Sequence, residues 1–216
     1  IEQAYLYMMN HIKALLKASD TTTEDVQQAL FQLADIYHCN FSLFQSLPDI
    51  WAIDQIHPIA PLQRLDEPAE RYAILSDITC DSAGKIDQFI LSDGLSSILP
   101  VHDLNEQDDY YIGVFFIGAY QETLGDLHNL FGDTNVVTIG LLEEGGFEII
   151  KEQDGDTIHE VLSYVEYEPK RLINAFKAIV ESAVKKGRLS PAERRRMIKC
   201  YTDSMNGYTY FEHQES

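Results

Sequence analysis

The chain has 216 residues, 45% hydrophobic and 11% aromatic, which is enough apolar side chain for a real core and excludes a disordered polypeptide. Against 35 acidic residues stand 16 Lys and Arg, a net charge of -19, so nucleic acid and anionic membrane surfaces, both polyanions that select basic patches, are not expected as partners. A cationic substrate would be drawn to such a surface, and a merely solubilising acidic exterior fits as well.

In chain order, Tyr5, Met8, Met9, Ile12, Leu15 and Leu16 recur at three-four spacing and predict a helix over 4–16. Thr21 with Glu24 forms a capping box, and Val26, Leu30, Leu33, Ala34 and Tyr37 repeat the stripe, predicting a second helix at once. Pro48, Pro58 and Pro61 lack a backbone donor and end the helical pattern. Strands are expected over 71–79 and 85–91, joined by a turn at Asp81-Ser82-Ala83-Gly84. The apolar run 110–120 reads as a strand buried on both faces. Runs 136–142 and 147–151 flank Glu143-Glu144-Gly145-Gly146, a hairpin signal with glycine available for positive φ.

Beyond the sheet region, Asp156 or Thr157 starts a short helix and Pro169 suits the first turn of the next, whose apolar face is Leu172, Phe176, Ile179, Val180 and Ala183, ending near Gly187. Ser190 and Glu193 cap a last helix with Pro191 at its first turn, and Gly207 stops it. The expected class is α+β: a mostly antiparallel β-sandwich or barrel over 46–166, flanked by part of a helical bundle over 1–45 and a helical extension over 167–216. Because the first residue is Ile1 and the pattern is already helical at Ala4, the chain is expected to be a piece of a longer protein.

Cys39, Cys80 and Cys200 are odd in number and far apart, which fits a reducing, cytoplasmic setting. No apolar run has the length of a membrane span, and the first residues carry no export pattern. His102, His128 and His159 show no repeated ligand spacing, so no metal site is expected; Asp126, His128 and Asp133 read as a hydrogen-bonded loop. A Cys80–His102 hydrolase dyad has no oxyanion hole to support it. The run Arg194-Arg195-Arg196 reads as a solvated helix face or an ion-pair partner.

The most informative stretch is Asp77-Ile78-Thr79-Cys80-Asp81-Ser82-Ala83-Gly84, where a thiol and a carboxylate leave a strand together and enter a turn. Taken alone, Cys80 reads more readily as a half-buried small hydrophobe than as a nucleophile, and the adjacent acid would raise a thiol's pKa by like-charge repulsion. With Val101-His102-Asp103-Leu104, Gly118-Ala119-Tyr120-Gln121-Glu122 and Gly125-Asp126-Leu127-His128 following in order, however, the chain resembles the carboxy-terminal sheet domain of the alanine-racemase-like decarboxylases, and most closely the biosynthetic arginine decarboxylases. The likeness extends upstream through Cys39 to Asp49 and Trp51-Ala52-Ile53-Asp54-Gln55, and downstream to Asn206-Gly207-Tyr208-Thr209-Tyr210.

That resemblance implies an enzyme converting L-arginine to agmatine and carbon dioxide toward putrescine and spermidine, with pyridoxal 5'-phosphate bound to a lysine of an amino-terminal (β/α)8 barrel that has no counterpart here. It implies self-association as a dimer or higher oligomer, the sheet domain closing the partner's site. By matching positions Cys80 would govern protonation of the substrate α-carbon, Asp81 would meet the cationic end of the substrate, and Tyr120 would donate to the cofactor phosphate. Asp54 matches a second acidic position near that cationic end and reads equally as an Asp closing a turn. Magnesium comes with the family, but no residue is nominated to bind it. Ala83 departs from a usually acidic position. The open alternatives are a sister decarboxylase acting on ornithine, diaminopimelate or carboxynorspermidine, and a non-catalytic assembly module.

Overall fold

The computed structural model describes residues 7–8, 11–12, 14–15, 31–105 and 109–212. The predicted first helix meets them at the first three stretches, which are helical; its remainder, the capping box at Thr21 and most of the second helix lie outside the described residues. The chain forms two compact units, one holding the described residues up to Leu43 with Leu47–Thr123, the other Phe44–Ser46 with the described residues from Leu124 onward.

At the centre of the first unit is β3 (Arg71–Ser76), whose alternate residues Ala73 and Leu75 face inward, as the period of two of an extended chain requires. β1 (Asp35–His38) lies parallel to it with Tyr37 opposite Leu75. Its other pairings are antiparallel, β7 (Leu99–Val101) at Arg71–Ala73 and β4 (Lys85–Ile86) at Leu75–Ser76. Three two-stranded ribbons complete the β-structure of the described chain: β2 (Ile59–Pro61) with β8 (Ile112–Val114), β5 (Phe89–Leu91) with β6 (Gly94–Ser96), and a hairpin in the second unit. The fold is α+β, and among the described residues the strands form no closed barrel. Leu43, Leu47, Leu75, Phe89, Leu99 and Val101 are sealed in one cluster. Each large side chain there contributes about 1.5–3 kcal/mol by leaving water.

Three expectations are corrected. Tyr37 does not continue a helical stripe: it occupies β1, where its ring is buried and its hydroxyl donates to the His102 carbonyl at 2.7 Å. The strand expected over 71–79 stops at Ser76, because Asp77 turns the chain, and that expected over 85–91 is split between β4 and β5. The run 110–120 is not a strand buried on both faces. Only Ile112–Val114 pairs; Phe115, Phe116 and Ile117 are exposed, Phe116 at φ 59°, and a helix begins at Ala119.

Two short helices, α1 (Leu43–Ser46) and α2 (Pro48–Ile53), follow β1, and α3 (Ala119–Thr123) follows β8. In the second unit β9 (Val136–Leu141) and β10 (Phe147–Gln153) form the expected hairpin, with Gly145 and Gly146 both at positive φ. Then come α4 (Ile158–Tyr164), α5 (Pro169–Lys185) and α6 (Pro191–Met205), the first and last started by complete capping boxes at Thr157/Glu160 and Ser190/Glu193. Val180 of α5 is buried with Val161 and Met205, whereas Ile179, expected on the same face, is exposed. Tyr210 closes this unit, stacking on Phe131 and donating to the Gly132 carbonyl at 2.8 Å.

Candidate active site

Asp77 builds the turn that carries the thiol. Its carboxylate is buried, yet fully engaged: one oxygen accepts from the Leu43 amide at 2.8 Å, the other from the amide and the hydroxyl of Thr79 at 2.9 and 2.8 Å. The Asp77 N–H donates to the Gly84 carbonyl at 2.8 Å, closing the loop. A Cβ at Gly84 would collide with the Asp77 carboxylate, so the close approach requires glycine there. With its base pinned from inside, the turn pushes Cys80 and Asp81 out, and both are exposed. Sequence reasoning passed over Asp77; an Asp two residues before a Thr, at a strand end, is the signal that could have found it.

Asp81 Oδ1 accepts the Ala83 amide at 2.8 Å, an Asx turn that fixes the carboxylate's orientation. Ala83 makes this bond through its backbone, so the loss of an acidic side chain at that position leaves the turn intact. Asp54 is the left-handed end of α2 (φ 54°, ψ 35°), its N–H donating to the Asp49 carbonyl. Asp54 and Ala83 line one cavity of about 210 Å³, together with Trp51, His57 and the Lys85–Asp87 ion pair. The structure thus brings Asp54 to the turn that carries Cys80 and Asp81. His57 was not singled out in the sequence. It is buried, and its Nε2 has no hydrogen-bond partner among the described residues.

Tyr120 stands 75% exposed on α3 rather than at a strand end. Its neighbour Gln121 is buried and anchors α3 to α2, accepting the Asp49 amide at 3.2 Å and donating to the Asp49 carboxylate. Through that anchor the helix bearing Tyr120 is fixed to the helix that ends at Asp54. A thiol, two carboxylates and a phenol are therefore presented by neighbouring elements of one unit, a set suited to holding a cation and an anionic group and to moving a proton.

The remaining sequence candidates have other roles. His102 is buried, with Nδ1 2.7 Å from the Tyr110 hydroxyl and Nε2 3.2 Å from the Glu67 carbonyl, so neither ring nitrogen is left for Cys80 and the hydrolase dyad is discarded. The His128 ring packs on Phe44, while the Asp133 carboxylate accepts from Gln45 and its amide donates to Asp156 at 2.9 Å. Among the described residues no group of three or more His, Cys, Asp and Glu is placed to hold a metal ion, and no helix is long and apolar enough to cross a membrane. Arg194 of the basic run pairs with Glu181 at 2.6 Å.

The arginine decarboxylase C-terminal helical extension model matches residues 158–211, the segment that forms α4 to α6. A biosynthetic arginine decarboxylase of Phocaeicola vulgatus is 49% identical over 98% of this chain, and that of Bacteroides thetaiotaomicron 48% identical over 98%. Nearly the whole chain is thus similar to part of a biosynthetic arginine decarboxylase. It spans about a third of the length of these curated relatives, 34% in both cases. The crystal structure of the biosynthetic arginine decarboxylase SpeA from Campylobacter jejuni matches with a TM-score of 0.72 and 31% identity, over 88% of this chain and 32% of that one. A biosynthetic arginine decarboxylase is thus what this chain is similar to in both sequence and fold.

Proposed function

We propose that this chain supplies one wall of the active site of a pyridoxal-phosphate-dependent arginine decarboxylase, which converts L-arginine to agmatine and carbon dioxide on the way to putrescine and spermidine. The observation that carries the proposal is the turn in which buried Asp77 holds Cys80 and Asp81 outward, on a chain that aligns almost end to end with biosynthetic arginine decarboxylases. The site would be completed between two copies in the cytoplasm, each lending these side chains to the other.

The residues present fit the edge of a cofactor site: an exposed phenol at Tyr120 can donate to a phosphate, and an exposed thiol at Cys80 can give up a proton. Pyridoxal phosphate, when bound, supplies the electron sink for loss of the carboxylate. Cys80 Sγ then delivers the proton that replaces carbon dioxide on the substrate α-carbon. Asp81 accepts N–H groups of the guanidinium, whose planar fork suits a carboxylate held in one orientation. Asp54 adds a second negative charge toward the same end, and the net charge of -19 favours approach of a cation. No residue of this chain is nominated for magnesium.

The test is steady-state kinetics in a polypeptide of the relatives' full length. Cys80→Ala should lower kcat about 100-fold or more and divert product, and Asp81→Asn should raise KM for arginine with a smaller change in kcat. Unchanged turnover and product in Cys80→Ala would leave only an assembly role. Competition among arginine, ornithine, diaminopimelate and carboxynorspermidine settles the substrate, and a preference for any of the last three would overturn arginine.

A further inference from the structure

We infer that His57 is a positioning residue for Asp54: in the cavity that both line, a water held by His57 Nε2 donates to the Asp54 carboxylate and keeps it turned toward the cationic end of the substrate. This rests on the proposed function, which gives Asp54 a cation to meet.

His57 is 7% exposed, and its Nε2 has no hydrogen-bond partner among the described residues. Leaving a buried ring nitrogen with neither protein nor solvent partner is costly, so such a group takes an ordered water or a ligand. The cavity that His57 shares with Asp54 measures about 210 Å³. That is room for several waters at about 30 Å³ each, and its polar walls supply the partners an enclosed water needs.

Two other polar side chains of the cavity are engaged already. Lys85 and Asp87 pair at 2.6 Å, and Gln55 donates to the Ile56 carbonyl at 3.1 Å. Asp54 differs. Its backbone is fixed, the N–H donating to the Asp49 carbonyl at φ 54°, but among the described residues no hydrogen bond or ion pair holds its carboxylate. Asp81, by contrast, is oriented by the Ala83 amide. Of the two carboxylates that meet the guanidinium, one is therefore held by its own turn, and His57 is placed to hold the other. In the neutral tautomer with hydrogen on Nε2, the ring donates to the water and the water donates to the carboxylate. The bonds run from a buried, fixed donor to a mobile acceptor, with no charge needed on the imidazole.

Kinetics and crystallography of a polypeptide of the relatives' full length test the inference. His57→Phe keeps an aromatic ring and removes the nitrogen; it should raise KM for arginine about tenfold and leave kcat within about twofold. His57→Gln, whose amide can donate to the same water, should recover most of the loss. In an Asp54→Asn background His57→Phe should add little, because the group it positions is already lost. The crystal structure should show an ordered water within hydrogen-bond distance of both His57 Nε2 and the Asp54 carboxylate. No such water, an unchanged KM in His57→Phe, a fall in kcat in its place, or a full further loss in the Asp54→Asn background overturns the inference. Normal kinetics in Cys80→Ala and Asp81→Asn as well would mean that the proposed function has failed; effects there without one in His57→Phe would remove the positioning role alone.

Discussion

Gln121 and Asp49 hold each other at both ends: the Asp49 amide donates to Gln121 Oε1 at 3.2 Å, and Gln121 Nε2 donates to the Asp49 carboxylate. This pair bridges 72 residues of sequence and fixes in place the helix that carries Tyr120. Gln121→Ala would strip the half-buried Asp49 carboxylate of a donor and free α3 from α2. The expected loss is about 1–3 kcal/mol of stability, read from urea denaturation. In a full-length enzyme a weakened affinity for pyridoxal phosphate should accompany it, through Tyr120. Stability lost with cofactor affinity intact would show that Tyr120 does not depend on the anchor.

Asp77 carries more. Its carboxylate satisfies two amides and a hydroxyl inside the unit, so Asp77→Ala leaves three donors with nothing to replace it. The expected cost is about 3 kcal/mol or more. Gly84→Ala, which forces a Cβ onto the same carboxylate, should destabilise comparably. Denaturation midpoints of the two variants within experimental error of the wild type would refute this account of the turn.

What was legible in the sequence was local. Ser190 with Glu193, Thr157 with Glu160 and the two glycines after Glu144 each specify their structure within a few residues, and each forms as expected. The turn bearing Cys80 and Asp81 was legible for the same reason. Non-local relationships were not. Tyr37 has a spacing that continues a helical stripe, but its parallel partner Leu75 lies 38 residues on, and no local pattern announces that pairing. The run 110–120 has the composition of a buried strand, yet Phe115 to Ile117 face outward; apolar character signals burial somewhere, without saying whether the cover belongs to the same chain. Asp77 was hidden because its donors include an amide 34 residues away.

Tyr37 makes stability fall in alkali. Burial chiefly, with the Asp35 carboxylate adding to it, pushes its phenol up to about 12 from about 10 in the unfolded chain. Below pH 10 both states hold the proton and the contribution is complete. Between pH 10 and 12 only the unfolded state releases it, so stability drops, by about 2–3 kcal/mol in all. The difference between wild-type and Tyr37→Phe denaturation curves across that window isolates the effect; parallel curves would refute it.

The three thiols should separate by reactivity. Burial pushes the Cys39 thiol up to about 11, and it leans on the Tyr37 carbonyl at 3.6 Å, while Cys80 and Cys200 are exposed. The thiolate is the nucleophile. A disulfide reagent at pH 8 should therefore modify two thiols quickly and the third only after denaturation. Cys80→Ser should remove one fast phase, and fast modification of three thiols in the native chain would contradict the placement of Cys39.

The start of α6 is held by a reciprocal pair: Ser190 Oγ accepts the Glu193 amide at 3.2 Å, and the Glu193 carboxylate takes the Ser190 amide and hydroxyl at 2.8 and 2.7 Å. Hydrogen bonding to Ser190 also holds the Glu193 carboxyl below its ordinary range, backbone amide first. A depressed carboxylate stabilises the fold above its unfolded pKa, and that contribution is lost as pH falls through the folded value. Ser190→Ala should therefore cost about 1 kcal/mol near neutrality. The cost should shrink in acid, where protonated Glu193 no longer holds its side of the box in either protein. Fraying of the first turn should accompany the loss, and amide hydrogen exchange at 192–194 measures it directly. Unchanged exchange there together with an unchanged denaturation midpoint would show that Pro191 alone suffices to start the helix.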